Sequence, residues 1–303
     1  MELIKDNYLR GSGNGNTWHV DIDPPKQKVK SYFEETISAA EYVHANKIGK
    51  IHLLYSGGLD SQYVFNVFQK LRFDFTPVII RLVGKDQIDY NAHETKYAFE
   101  HCAKYNIVPT VINFDYDEFV YSGECFELAK EIRSGTHRLV ATLKVAGNID
   151  GFTVFGNDPP YLKYNIERNV WQLEEQEVIH SLLNFYRMRN IQGCPFLLSY
   201  TPEMMLSFLL DPYIVNLANG KYPGKQGTNS SKVHVFNNGS GFNMPNYNFI
   251  NNIKPKYAGY EVIDTTNLMC HPNMLEFNKI KNQWTGIYYE DYQTVVSRLS
   301  INQ

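Results

Sequence analysis

Between residues 51 and 155 the sequence alternates short apolar runs with helical stretches, and this alternation limits the possible folds more than any other feature. The apolar runs predict strands at 51–55, 77–83, 108–114 and 151–155. Helical spacing of apolar residues predicts helices at 60–71, 89–106 and 123–147. Parallel strands need crossover helices, so this order predicts an α/β fold with an open, doubly wound, mainly parallel sheet.

The segments on either side of this unit have different patterns. Residues 1–48 predict an N-terminal strand and helix that pack on the core, which itself extends over 49–165. Residues 166–303 predict a C-terminal lobe of mixed helices and loops. In this lobe we expect a helix at 174–189 and a second that begins at Thr201-Pro202, because Thr caps helices and Pro suits the first helical position.

Composition excludes several classes of protein. The formal charge of −3 argues against a protein that coats nucleic acid, although a local basic groove stays open. The four cysteines form no Cys-x-x-Cys pair, so neither a zinc knuckle nor a disulfide framework is indicated. No uncharged apolar run reaches about 18 residues and no signal peptide is evident, so we expect no membrane partner and a cytoplasmic protein.

A Gly-rich turn joins the first predicted strand of the core to its helix. It reads Ser56-Gly57-Gly58-Leu59-Asp60-Ser61. Two glycines let the backbone approach an anion, the serines offer hydroxyl donors, and the new helix directs free N–H groups at a phosphate. Asp60 would repel a phosphate, so it is expected to bind a bridging Mg²⁺ or to cap the helix. The turn is neither a Walker sequence nor Gly-x-Gly-x-x-Gly.

This turn resembles the PP-loop signature of the N-type ATP pyrophosphatases. That superfamily includes the synthetase parts of asparagine, GMP and NAD synthetases, tRNA-modifying enzymes and phosphoadenylylsulfate reductases. The resemblance covers residues 50–160 and is loose beyond them. It implies an adenine nucleotide α-hydrolase-like fold, ATP and Mg²⁺ as cofactors, and cleavage of ATP between the α and β phosphates. Residues 56–61 would then bind the β,γ-pyrophosphate, and the C-terminal lobe would bind the substrate.

Two further segments are assigned through the same resemblance. Gly156-Asn157-Asp158 resembles the second family motif, which implies nucleotide contacts from Gly156 and Asn157 and a shared Mg²⁺ between Asp158 and Asp60. The alternative is a simple Asn-Asp-Pro turn. Arg81 follows the second strand, where family members hold adenine and ribose; the alternative is a solvated strand end.

Late lysines are the candidates for catalytic cations. A positioned cation stabilises the charge that develops on a pentavalent phosphorus and on departing pyrophosphate. We rank Lys225 first, Lys232 second and Lys256 third; each of them is otherwise a solvated loop lysine. Residues 219–259 are rich in Gly, Asn and Ser, so we expect them to form a loop, in which closure over the site is one alternative.

Missing motifs narrow the choice among family members. A sulfur-transferring relative would carry paired cysteines, and a built-in glutaminase would carry an N-terminal cysteine, whereas residue 2 is Glu. We therefore favour an adenylating ligase, in which ATP activates a carboxylate or carbonyl oxygen and an amine displaces AMP. Two alternatives stay open: a phosphoadenylylsulfate reductase-like or sulfotransfer enzyme that uses Cys270, and a catalytically silent nucleotide-binding module.

The partners expected for such a ligase follow from its chemistry. The substrate is expected to be a small molecule, and the nitrogen comes from ammonia, an amine or a partner chain. Nucleic acid is not expected, although a modified-base substrate and a homo-oligomer remain compatible with the sequence.

Overall fold

The structure is a computed structural model that describes residues 9–11, 18–20, 22–85, 87–156, 159–174, 177–222, 232–244, 272–280 and 289–300. Its strands are β1 (Leu9–Gly11), β2 (Trp18–Val20), β3 (Ile51–Leu54), β4 (Phe75–Val83), β5 (Thr110–Asp115), β6 (Phe152–Phe155), β7 (Tyr161–Asn165), β8 (Val170–Glu174), β9 (Gly193–Cys194) and β10 (Tyr289–Asp291). Its helices are α1 (Tyr32–Asn46), α2 (Leu59–Lys70), α3 (Ala92–Lys104), α4 (Tyr116–Tyr121), α5 (Glu124–Ile132), α6 (His137–Ala146), α7 (Glu177–Met188), α8 (Pro202–Leu209), α9 (Pro212–Ala218), α10 (Lys232–Asn237), α11 (Pro272–Ile280) and α12 (Tyr292–Leu299).

A five-stranded parallel sheet forms the centre of the molecule, in the order β5-β4-β3-β6-β9. From β3 the chain moves outward to β4 and β5, and then returns to place β6 on the other side of β3. The direction of winding therefore reverses between β3 and β6. This reversal brings the loops after β3 and β6 together at the carboxyl edge of the sheet, where open α/β sheets bind ligands.

Helices cover both faces of this sheet, which confirms the predicted α/β, doubly wound class. One apolar cluster joins Leu53 of β3 to residues of α1, α2 and α3. A second cluster joins the adjacent Leu54 to residues of α5, α6 and α7 on the opposite face. Successive strand residues point to opposite faces, so neighbouring leucines serve different clusters.

The predicted strands and helices of the core are confirmed with two corrections. The helical stretch predicted at 123–147 is two helices, because Arg133 adopts a left-handed conformation (φ 56) that ends α5. Residues 161–174 form an antiparallel hairpin, β7–β8, which the sequence interpretation did not include, and β10 pairs with β8.

The C-terminal segment is tied to the core at several points. The Thr201 side chain accepts a hydrogen bond from Met204 N–H and Pro202 opens α8, as predicted. β9 pairs with β6 in the central sheet. One apolar cluster contains Val43, Val64 and Phe208, which come from the three predicted segments. The division at residues 48 and 165 into domains stays a prediction. Within the described ranges, no helix combines the length and apolarity needed to cross a membrane.

Aromatic stacking fixes α10 against α2. The Phe236 ring stacks on Tyr63 with centroids 4.2 Å apart and planes 8° from parallel, and Tyr32 of α1 lies 6.0 Å away on a similar plane. All three side chains are buried. Because Lys232 begins the same short helix, this stack decides where that lysine lies.

We predict that Phe236→Ala will lower the free energy of unfolding by about 3–5 kcal/mol, since it deletes a buried ring and leaves a cavity. Urea denaturation measures the change. Ile166→Ala is the control, because Ile166 is 67% exposed and its truncation should have little effect. Equal stability of the two variants would contradict this account of α10.

Candidate active site

The Gly-rich turn is held in place by the sheet on one side and by α3 on the other. Tyr55 N–H donates to Val78 O over 2.8 Å, which extends the pairing of β3 with β4 by one residue. Gly57 has a φ of +71° and lies directly against α3, so that a Cβ there would be 2.4 Å from Ala98 N. Only glycine satisfies both the conformation and the space at position 57.

Hydrogen bonds within the turn shape it as an anion cradle. Gly58 N–H donates to Ser56 Oγ (3.3 Å), Ser61 Oγ donates to Gly58 O (3.0 Å), and Gln62 Nε2 donates to Gly57 O (2.8 Å). Helix α2 then begins at Leu59, and no described side chain caps its N-terminus. The first N–H groups of a helix lack intrahelical acceptors, so this end presents donors and a positive dipole to an anion.

Asp60 lies in the first turn of α2 and contacts a buried lysine. Its Oδ2 accepts a hydrogen bond from Lys232 Nζ at 3.2 Å, and the Lys232 side chain is only 1% exposed. The other oxygen, Oδ1, is buried without a hydrogen-bond partner in the described part of the chain. A buried carboxylate oxygen is costly when nothing donates to it, so Oδ1 is a position where a cation would be stabilised.

A cavity of about 220 Å³ opens beside the turn at the carboxyl edge of the sheet. Ser56, Ser61 and Gly156 lie on one side of it, and the apolar side chains of Val78, Ile80, Leu82 and Phe155 line another. Arg138 and Thr142 of α6 face the same space. The cavity therefore combines an anion cradle, an apolar wall, one cationic side chain (Arg138) and one acidic side chain (Glu94).

Gly156 lies beside the turn, as expected from the parallel pairing of β3 and β6. A Cβ on Gly156 would lie 2.9 Å from Ser61 Cα and 3.0 Å from Asp60 O. The end of β6 thus abuts the first turn of α2, and the structure brings Gly156 together with residues 56–61.

Several predicted site residues fall outside the described residues. They are Asn157, Asp158, Lys225, Lys256 and Cys270. Their assigned roles stay predictions. Of the three ranked lysines, Lys232 is the one that the described structure places at the turn.

Arg81 does not reach this cavity. Its guanidinium forms a 2.7 Å ion pair with Asp89 and donates to Asn113 Oδ1 at 3.3 Å. Val78, Ile80 and Leu82 share one face of β4 and line the cavity, whereas Arg81 alternates to the other face. Arg81 therefore lies outside this cavity, and the nucleotide contact assigned to it stays a prediction.

Two cavity residues carry no motif and were missed in the sequence. Arg138 lies near the start of α6, and nothing in its local sequence marks it. Asn91 receives a hydrogen bond from Leu82 N–H (2.8 Å) and donates to Ile80 O (3.0 Å). The Asn91 side chain thus forms hydrogen bonds with backbone groups of β4 that extend past the end of β3. Two features of the sequence could have indicated this role: the alternation of residues along β4 and the position of an Asn at the start of a helix.

The described thiols are buried in the packing of the molecule. Cys102, Cys125 and Cys194 are buried and unbridged. Burial raises the pKa of Cys102 to about 11 and that of Cys125 to about 12, which keeps both protonated and unreactive at neutral pH. Across the described ranges, no group of three or more His, Cys, Asp or Glu side chains is arranged to hold a metal ion.

Comparisons with known proteins give only distant similarities. No protein-family model matches the chain, and no curated protein is significantly similar to it. Among solved structures, a predicted subunit of tRNA methyltransferase from Methanocaldococcus jannaschii has a TM-score of 0.32 and 15% identity, over 52% of this chain and 72% of that one. NMN synthetase from Francisella tularensis has a TM-score of 0.32 and 13% identity, over 76% and 92%. At these values neither protein's activity extends to this chain.

We predict that Gly57→Ala will lower the free energy of unfolding by about 2–4 kcal/mol, the sum of left-handed strain and overpacking against α3. Gly220→Ala is a matched control, because Gly220 has a φ of +73° and a Cβ there would have no neighbour within 4 Å among the described residues. The control should lose about 1 kcal/mol from strain alone. Urea denaturation of both variants measures the difference, and equal losses would mean that α3 does not confine the turn.

Proposed function

We propose that this protein is an ATP pyrophosphatase of the adenylating type. ATP binds in the turn at residues 56–61, and an oxygen of a small-molecule carboxylate or carbonyl substrate attacks the α phosphorus. The bond between the α phosphorus and its bridging oxygen breaks, and pyrophosphate leaves with the electron pair. An amine then attacks the activated carbon and AMP leaves. The observation that carries the proposal is Asp60, a carboxylate in an anion cradle with one buried oxygen for which the described residues supply no partner.

The chain's own groups account for pyrophosphate binding. The N–H groups at the start of α2 and the hydroxyl of Ser56 are donors on the cavity side of the turn, whereas the Ser61 hydroxyl donates to Gly58 O. Glycine at positions 57 and 58 lets the backbone approach the phosphate oxygens closely. These donors act on a leaving group whose negative charge increases as the bond breaks, which is where preorganised donors lower a barrier most.

Asp60 fits Mg²⁺ by its chemistry. Carboxylate oxygens are the ligands that Mg²⁺ prefers, and Oδ1 of Asp60 has no other described partner. Asp158 is proposed as the second carboxylate, with Gly156 and Asn157 bordering the phosphates. A bound Mg²⁺ would neutralise negative charge on the phosphate oxygens.

We add Arg138 as a proposed cationic contact at the nucleoside end, because it lines the same cavity as the turn. The contact predicted for Arg81, which forms an ion pair with Asp89 outside this cavity, stays a prediction. The apolar wall formed by Val78, Ile80 and Leu82 is suited to a flat base, since such a wall buries the faces of the ring.

Lys232 is the late lysine that we assign to the phosphates. Its ammonium lies 3.2 Å from Asp60 and is held by a helix that packs on α2. A cation fixed in this way needs no rearrangement when charge develops. Lys225 and Lys256 are proposed as further cations. A sulfotransfer reaction would depend on Cys270, because burial keeps Cys102 and Cys125 protonated.

The position of ATP cleavage tests the proposal directly. We expect ATP labelled at the α and γ phosphates, incubated with Mg²⁺ and a metabolite extract, to give γ label in pyrophosphate and α label in AMP or an adenylate. Chromatography of both labels measures this. Formation of ADP and orthophosphate instead would overturn the assignment.

A double-mutant cycle separates structure from catalysis at Asp60. We expect Asp60→Asn to lower the free energy of unfolding by about 3 kcal/mol, because it removes the carboxylate charge that faces the buried Lys232 ammonium. Adding Lys232→Met should recover most of that stability. Pyrophosphate release should nevertheless stay reduced by about a hundredfold or more in the double variant, since donor and metal ligand are both gone.

Urea denaturation and pyrophosphate release measured on the same samples complete the cycle. If the double variant regains turnover along with stability, Asp60 and Lys232 are a structural pair only.

A further inference from the structure

A second cavity lies behind the turn, in the groove between α2 and α3. Its volume is about 490 Å³, and the segment 241–243 closes one side. Its lining includes Gln62, Asn66, Tyr97, His101, Lys104 and Phe242. None of them lines the ATP cavity, because α3 separates the two spaces.

Asn66 brings an unsatisfied polar atom to this groove. Its side chain is 9% exposed, and Oδ1 is buried with no hydrogen-bond partner among the described residues. Its Nδ2 lies 3.3 Å from Met244 Sδ, a weak acceptor. An unsatisfied buried amide oxygen costs about 1–3 kcal/mol, and a ligand that donates a hydrogen bond would remove that cost.

The rim of the groove is basic and aromatic. Lys70, Lys96 and Lys104 place their ammonium groups 5.8, 5.2 and 5.6 Å from the ring centroids of Phe242, Tyr97 and Tyr105, respectively. Glu100 is the acidic residue of the lining. Lys104 and Glu100 offset each other in formal charge, so the net positive charge at this rim comes from Lys70 and Lys96, in a chain whose net charge is −3.

His101 adds a neutral ring to this wall. Desolvation by burial, with a contribution from the charge of Lys104, lowers the pKa of His101 to about 4. The imidazole is thus uncharged at neutral pH, and the positive charge of the groove comes from its lysines.

We propose that this groove binds a nucleobase that carries a phosphate, either as a free nucleotide or within a single strand. The base would stack on the aromatic rings and donate an N–H to Asn66 Oδ1, and its phosphate would contact the lysines. Exposed cation–π pairs are worth only about 0.5–1 kcal/mol, so an ammonium can turn from its ring to a phosphate while a base takes the ring face.

The groove is coupled to the ATP turn through two of its wall residues. Gln62 Nε2 donates to Gly57 O at 2.8 Å, and His101 Nδ1 lies 2.5 Å from the hydroxyl of Tyr55, which precedes the turn. A ligand that shifts either side chain would change how the turn is held. Occupancy of the groove should therefore change the affinity of the turn for its own ligand.

Charge reversal tests the proposal. Binding of a fluorescently labelled strand of about ten thymidines is measured by anisotropy without ATP or Mg²⁺, so the outcome does not depend on ATP cleavage. We expect Lys104→Glu to weaken binding about tenfold or more, with a fall in affinity as salt rises. Lys130→Glu is the matched control, because Lys130 lies 3.9 Å from the Phe126 ring on the opposite face of the sheet. Equal weakening by both variants would overturn the proposal.

Asn66→Leu tests the hydrogen bond. We expect this variant to bind the strand about tenfold more weakly while its stability is kept, because leucine removes the unsatisfied oxygen at similar volume. Unchanged binding in Asn66→Leu would overturn the role of the groove. Competition by thymidine monophosphate at comparable affinity identifies a free nucleotide as the source, and binding of the strand alone identifies a single-stranded segment.

Discussion

The contact between Lys232 and Asp60 is the interaction on which the arrangement of the candidate site depends. Moving an ammonium into the interior costs several kcal/mol, and only a close opposite charge offsets that cost. The pair joins the first turn of α2 to a helix that begins 172 residues after Asp60 in the chain. Phe236 on the same helix stacks on Tyr63, so packing and charge fix α10 together. The cradle and the C-terminal segment are consequently positioned as one unit.

Two glycine contacts give the cradle its shape. Gly57 approaches the backbone of α3, and Gly156 approaches the backbone of α2. Neither contact has room for a side chain, so the turn, both helices and the end of β6 are held at fixed separations. Because the strand order reverses between β3 and β6, the same contacts leave a space between sheet and α6. The cavity therefore results from the order of the strands and from the absence of a side chain at Gly57 and Gly156.

Periodicity predicted the four core strands and the turn because each is a local signal of several residues. It could not give the β7–β8 hairpin, whose turn depends on Asn169 at a φ of 54, or β9, which has two residues. Arg81 was assigned from its place along β4, whereas contacts depend on the face of the strand. Ile79 and Arg81 share the face opposite the cavity, and the sequence alone does not indicate which face the cavity takes. Arg138 carries no local signal, since only the packing of α6 brings it near the turn.

If the groove behind the turn binds a phosphate as proposed, overall composition is a poor guide to the partners of this chain. A net charge of −3 averages over the whole surface, while recognition depends on the field within about a Debye length, ~10 Å. Three lysines over aromatic rings produce a positive rim in an acidic protein. Residues of α3 line both the groove and the cavity beside the turn. If both spaces bind the proposed ligands and one ligand alters the affinity of the other, linkage requires that the effect be equal in both directions.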